Sequence, residues 1–263
     1  MVSGMRTKMP ATTKSVEDDR DSAKSLRKAL AVLDAVGSAE TPPTIAEVAV
    51  RVGVSRPTAY RLMRTLVDEG YLRQDAQSGR LSVGLSVLML ASSLLDSNRL
   101  RLEALPHLQS LSALTGERTN LGIIHRNRVL YLGGVEKPTL PTIYSRFGKT
   151  APAHCCSLGK VILAYQPKPF VQALLAAEPL LPHTPNSITS MPRFMKELEV
   201  TRRRGYATDR EEHQQHSCCV AVPIFDGQKR PVGAIGVSGA DIKSLSEHLD
   251  ALRHTAELIS HRL

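Results

Sequence analysis

Residues 44–80 read TIAEVAVRVGVSRPTAYRLMRTLVDEGYLRQDAQSGR, and the spacing of their apolar, glycine and arginine positions decides the first half of the fold. Ile45, Val48, Ala49 and Val52 recur at the interval of one helix face. Thr44 stands before them with Glu47 three residues on, the pattern in which a hydroxyl and a carboxylate close the first helical turn reciprocally. Gly53 permits the turn that ends this helix. Ser55 is placed to cap a second one, and Pro57 is tolerated in a first turn whose N–H groups have no intrahelical partner. In that second helix Ala59, Leu62, Met63 and Leu66 fall inward. Tyr71 and Leu72 begin a strand, Ser78-Gly79 turns it, and Arg80 to Val83 returns. Two helices across a tight turn, followed by a hairpin, are the layout of a winged helix-turn-helix, whose second helix is built to enter a DNA major groove.

The inward set leaves Arg56, Thr58, Tyr60, Arg61 and Arg64 on or near the outer side of that helix. Hydroxyls suit phosphate oxygens, and a guanidinium can bind guanine O6 and N7 as a fork. With the caps Thr44 and Ser55 these are the candidate DNA contacts; Arg73 and Arg80 on the wing extend them to backbone or minor groove. The plain alternative is a solvated basic face, and the place of the arginines on the second helix of a correctly spaced pair argues against it. The formal net charge of +9 and pI near 9.6 agree with a polyanionic partner without requiring one.

Upstream, residues 1–21 are polar and aperiodic and read as a disordered tail. From Ser22 onward Leu26, Ala29, Leu30, Leu33 and Val36 recur at helical spacing up to Gly37, so residues 22–84 form the expected DNA-binding domain. Downstream, Ser86 to Gly116 reads as one long helix or two in succession. Val87, Leu90, Leu94, Leu95, Leu102, Leu105, Leu108, Leu111 and Leu114 make a nearly continuous apolar seam along it. This linker region, 85–116, must be covered. The chain's own domains could cover it, but a connector between domains is also where a homodimer would form, and a paired reader matches a palindromic double-stranded operator.

Beyond Thr119 the periodicity shortens. Asn120 to His125, Arg128 to Val135 and Thr142 to Phe147 are expected strands; Ser157 to Tyr165, Pro169 to Ala176 and Pro192 to Gly205 expected helices. Strands return at Tyr206-Ala207, Cys218 to Phe225 and Pro231 to Val237, and a terminal helix runs from about Lys243 to Leu263. Strands, then helices, then strands imply an α+β domain over 117–263 on a mainly antiparallel sheet.

No basic, apolar and small-residue succession marks a signal peptide. The longest charge-free apolar stretch, Leu81 to Leu95, interrupted by serines and a glycine, falls short of the roughly 18 residues of a membrane span. A cytoplasmic protein without a membrane partner is expected. The four cysteines are two adjacent pairs, Cys155-Cys156 and Cys218-Cys219, with no C-x-x-C spacing. Together with His154, His213 and His216 they invite a metal reading, which adjacency on a strand opposes, since neighbouring side chains point to opposite faces. No metal or cofactor is therefore expected. A thiol redox switch between the two segments, and a hydrolase built from Cys219, His154 and Asp209, remain as alternatives. Nothing in the local sequence marks a nucleophile elbow, and neither an enzyme nor a redox switch explains residues 44–80.

Six segments resemble the IclR-type bacterial transcriptional regulators: SLRKALAVLDAV (25–36), SRPTAYRLMRTLVDEGYL (55–72), LTGERTNLGI (114–123), PAHCCSLGKVILA (152–164), TRRRGYATDREEH (201–213), and CVAVPIFD (219–226) with IGVSG (235–239). Their order over nearly the whole chain from Ser25 is the specific part. The resemblance implies an N-terminal winged helix-turn-helix, a linker helix and a C-terminal effector-binding domain similar to GAF and PAS folds, in a repressor of a catabolic operon that responds to a small organic acid. It also implies a pocket formed by Ser157, Leu158, Asp209, Cys219, Gly236 and Ser238. N–H groups at the start of the Ser157 helix would hold a carboxylate, Ser238 would donate to it, and Asp209 would accept from a hydroxyl. Gly236 stands where sensors of small acids carry a serine; the missing side chain is expected to enlarge the cavity and to favour an aromatic acid over glyoxylate or pyruvate.

Overall fold

The reciprocal cap at Thr44 forms. Its Oγ1 accepts from the Glu47 N–H at 3.3 Å while Glu47 Oε2 accepts from the Thr44 N–H at 2.7 Å, and Gly53 closes the same helix at φ 71°. The structure, a computed structural model, describes residues 16–137, 147–176 and 179–263, with side chains from residue 23 onward. It divides into two compact units, 1–94 and 95–263.

In the first unit α1 (Val16–Gly37), α2 (Ile45–Val52) and α3 (Arg56–Asp68) precede the hairpin β1 (Leu72–Gln74) and β2 (Leu81–Val83). Helix α1 starts inside the stretch expected to be a disordered tail. Residues 1–15 lie outside the described residues. Val32, Val36, Val48, Leu62, Met63, Leu72 and Leu81 make the core. Leu26 and Leu30, read as part of the packed face of α1, are instead exposed. The hairpin is held to the helices by the Leu81 N–H, which donates to Pro43 O at 2.8 Å.

Residues 85–116 divide at Asn98, which caps α5 (Arg99–Thr115) and ends the continuity of the expected seam. Helix α4 (Leu85–Ser97) buries none of its side chains, and Leu85, Leu88, Met89, Leu90 and Leu94 are exposed. Helix α5 instead belongs to the second unit, where Leu108 and Leu111 are buried while Leu102 and Leu114 are not.

The second unit is a six-stranded antiparallel sheet of order β5-β4-β3-β8-β7-β6. The strands are β3 (Arg118–His125), β4 (Arg128–Val135), β5 (Thr150–Pro152), β6 (Ala207–Arg210), β7 (Cys218–Phe225) and β8 (Pro231–Gly239). Alternation sorts β7 cleanly: Cys218, Val220, Val222 and Ile224 pack with α5, α9 (Ile242–Glu247) and α10 (Leu249–Ser260), while Ala221 faces the layer of α6 (Ser157–Ala164), α7 (Lys168–Ala176) and α8 (Met191–Arg204). The expected strand at 142–147 falls almost wholly outside the described residues, with Phe147 in a turn; β5 was not foreseen, being a three-residue strand that ends in a proline. The terminal helix breaks at His248, because Asp241 caps a separate short helix. Among the described residues no helix is long and apolar enough to cross a membrane.

Candidate functional sites: a nucleic-acid interface and an enclosed pocket

Ser55 caps α3, its Oγ accepting from the Thr58 N–H at 3.4 Å and meeting Thr58 Oγ1 at 2.9 Å. Ala59, Leu62 and Met63 turn inward and are buried. Consequently Arg56, Tyr60, Arg61 and Arg64 stand exposed along one side, with Thr58 half-buried at its start. The nearest carboxylate to Arg64, that of Asp68, is 3.9 Å away and well exposed, a pairing too weak to occupy a guanidinium. The face is thus a row of donors held by a rigid helix. Arg80 differs: its Nη1 donates to Pro42 O at 2.6 Å and so braces the wing against the α1–α2 turn. A guanidinium has five N–H donors, so this bond leaves others for a ligand, but its first duty is structural.

The second site lies on the α6 side of the sheet. Register places Asp209 opposite Cys219 and Cys219 opposite Ser238, one row across β6, β7 and β8. Partners in register share a face, so three residues far apart in sequence meet. Cys219 Sγ lies 3.1 Å from Ser238 Oγ, which also accepts from Asn120 Nδ2 at 3.0 Å. The start of α6 closes the site with Ser157 and Leu158, both buried. This helix approaches because Gly159 has no Cβ; one added there would stand 2.3 Å from Ala153 O. The helix cap, Cys156, supplies no side-chain bond to the first turn, so N–H groups at its opening are available to an anion.

All six pocket residues expected from the sequence line this one cavity, together with Asn120, Tyr131, Cys156, His213, Gln214 and Ser217, which were not assigned to it from the sequence. Asn120 carried a signal, since it lies in the segment LTGERTNLGI and is, with Thr119, a buried polar side chain at the start of β3. The cavity measures about 10 Å³, room for about one water.

Burial pushes the Asp209 carboxyl up to about 7, opposed by the bond it accepts from the Glu212 N–H at 2.7 Å. A carboxyl near half-protonation at neutral pH can accept from a hydroxyl or, protonated, donate to an anionic oxygen. Behind it Lys160, 1% exposed, meets Glu212 Oε1 at 2.6 Å and Glu197 Oε1 at 3.5 Å, and Arg204 joins Glu197 at 3.2 Å. This chain of charges fastens α6 to the β6–β7 connection that rims the pocket.

Residues 25–76 match the model of the IclR helix-turn-helix domain, and residues 92–261 match that of the bacterial transcriptional regulator IclR C-terminal domain. The chain belongs to the IclR family. It is similar to the glycerol operon regulatory protein of Streptomyces coelicolor, 35% identical over 217 residues covering 82% of this chain and 85% of that one. The crystal structure of IclR from Thermotoga maritima matches with a TM-score of 0.67 and 31% identity, covering 92% and 99%. An IclR homolog from Microbacterium hydrocarbonoxydans, solved in complex with 4-hydroxybenzoate, shares the fold at a TM-score of 0.76 and 24% identity, covering 91% and 98%. This IclR-family chain is therefore a DNA-binding transcriptional regulator, and its relatives are named as regulators, which are not enzymes.

Three readings of the sequence change within the IclR fold. Gly236 does not enlarge the pocket: a Cβ there would stand 2.8 Å from Val220 O and 3.2 Å from Ala221 Cβ, so the glycine serves close strand packing. The hydrolase alternative loses its base: Asp209 and Cys219 are neighbours in register, but His154 Nε2 donates to Leu181 O at 3.0 Å and Cys219 Sγ meets Ser238 Oγ. The thiol switch loses support as well. Burial pushes the Cys155 thiol up to about 12 and raises Cys156 and Cys218, and a thiol that keeps its proton is a poor nucleophile. Of the histidines and cysteines that invited a metal reading, His154 and Cys155 meet a residue that reading did not include, His183, the ligand atoms of all three lying within 4.8 Å of one another.

Proposed function

We propose that this IclR-family regulator represses a catabolic operon by holding a palindromic operator as a homodimer or tetramer, and that a small organic acid in the pocket releases it. The observation that carries the reading is the row Asp209, Cys219 and Ser238 in register beneath the opening of α6. There the acid's carboxylate takes N–H groups of Ser157 and Leu158 and the Ser238 hydroxyl, while Asp209 bonds its second polar group. Arg56, Thr58, Tyr60, Arg61 and Arg64, with Thr44, Ser55 and Arg80 in support, contact the DNA. The exposed leucines of α4 and Leu26 and Leu30 of α1 supply apolar surface for the partner chain.

Because the cavity holds about one water, an acid enters only as the side chains or the 211–217 connection shift. A ligand acts on the DNA-binding unit only by preferring one arrangement over another. The fold accommodates an aromatic acid in the Microbacterium protein, and the choice of acid here is left to titration. Promoter fragments flanking the gene and its neighbours are titrated with the full chain, with and without 4-hydroxybenzoate, pyruvate and glyoxylate. The reading expects tight, salt-sensitive binding to one palindromic fragment that an acid weakens. Binding of equal strength to all fragments and indifferent to every acid would make the protein an architectural binder and refute it.

A further inference from the structure

His154 and Cys155 on the one hand and His183 on the other come from two separate parts of the second unit, and nothing in the effector reading needs them together. His154 and Cys155 sit on the turn between β5 and α6, both buried; His183 is exposed on the connection between α7 and α8. Two imidazoles and a thiol whose ligand atoms all lie within 4.8 Å form a compact nitrogen and sulfur set. We propose that His154, Cys155 and His183 bind a zinc ion.

The surroundings hold these donors in place in the way a metal ligand set requires. Leu181 O can only accept, so His154 donates its Nε2–H there and offers Nδ1 as its ligand atom. A metal-binding histidine characteristically gives its other N–H to a carbonyl in this manner. The carbonyl that orients His154 belongs to the same connection that carries His183. That connection is itself stapled: the His183 and Thr184 N–H groups donate to Ser187 Oγ at 2.9 and 3.0 Å, Ser187 Oγ donates to Glu212 O at 2.6 Å, and Thr184 Oγ1 donates to Glu211 O at 2.6 Å.

Zinc takes this mixture of imidazole and thiolate in tetrahedral geometry with Zn–N near ~2.0 Å and Zn–S near ~2.3 Å, donors roughly 3.3–3.5 Å apart, so side-chain movements of at most about 1.5 Å close the set. On binding, the Cys155 thiol gives its proton to solvent and the thiolate sulfur bonds the ion, one proton released per zinc. No oxidation is involved. The fourth position is left to water or to a further ligand; the His213 ring, which lines the pocket, lies 5.5 Å from that of His183.

The test uses the full chain without an affinity tag, stripped with a chelator and titrated with Zn2+ and with Co2+ as a spectroscopic substitute. The proposal expects one Zn2+ retained per chain, and tetrahedral cobalt absorption with a thiolate charge-transfer band. His183→Ala, on an exposed residue, should weaken Zn2+ binding by more than about 100-fold, since even an outer partner of a metal ligand is worth about 10–100-fold. Cys155→Ser should lose the charge-transfer band, while His125→Ala and His261→Ala, on exposed residues outside the set, should bind as the parent does. Sub-stoichiometric zinc, cobalt spectra without the thiolate band, or undiminished binding by His183→Ala would each overturn it.

Discussion

The reading face of α3 and the floor of the pocket are both polar, yet they are built by opposite rules. On α3 the functional groups point to solvent from consecutive turns of one helix, and the buried side of that helix does the folding. In the pocket the polar groups are buried, drawn from α6, β3, β6, β7 and β8, and each must find a partner. Exposed donors cost the fold little and are free for DNA; buried ones are bound up with stability, and so with any ligand that rearranges them.

The sharpest break between the two regions lies at Lys160. Lys160→Ala leaves Glu212 and Glu197 without their buried cation and should cost about 3–5 kcal/mol in urea denaturation; a loss below about 1 kcal/mol would mean that the charge chain does not hold the pocket wall. Next comes a pH dependence that only the buried site should show. The folded Asp209 carboxyl keeps its proton up to about 7, against 3.8 for the ordinary group. The folded state therefore binds more protons in that window, and stability declines as pH rises through it, then levels above it, at a slope on the order of 1.4 kcal/mol per pH unit at most. Asp209→Asn should remove that part of the slope when the two proteins are compared by denaturation between pH 4 and 8 (roughly the window over which an aspartate so shifted titrates).

The helix face gives the opposite result. Arg61→Ala should leave stability within about 0.5 kcal/mol, while weakening operator binding by about 1–3 kcal/mol in salt-controlled titrations. Equal binding of specific DNA by the variant would remove Arg61 from the reading face. An effect of similar size is expected at Gly236→Ser, which introduces the serine of small-acid sensors. Its Cβ meets the Val220 carbonyl, so it should destabilise by about 1–3 kcal/mol rather than add a pocket donor; a stable variant with a gained preference for pyruvate would show that the strands yield.

The same contrast explains what was legible in the sequence. The helix-turn-helix is local: the Thr44 cap, the Gly53 turn, the Ser55 cap and the arginine spacing lie within one stretch, and each appears where the spacing put it. The pocket residues came from motif resemblance, since only the register of β6, β7 and β8 brings Asp209, Cys219 and Ser238 side by side. Asn120, although inside the segment LTGERTNLGI, and His183, which lies in none of the six segments, were missed. Apolar patterns misled where a helix has more than one apolar side: Leu26 and Leu30 share the spacing of the packed face of α1 but are exposed, and the long leucine seam ends at Asn98 because an asparagine there caps a new helix. At Gly236 a missing side chain looked like space, yet the neighbouring strand fills it.

The central claim is that the pocket controls DNA binding without taking part in it. Fluorescence anisotropy of a labelled operator, titrated with Asp209→Ala in the presence and absence of 4-hydroxybenzoate, pyruvate and glyoxylate, tests this directly. The variant should bind the operator as tightly as the parent and ignore the acid that weakens the parent's binding. An acid response equal to the parent's, or a folded variant that no longer binds the operator, would contradict the claim.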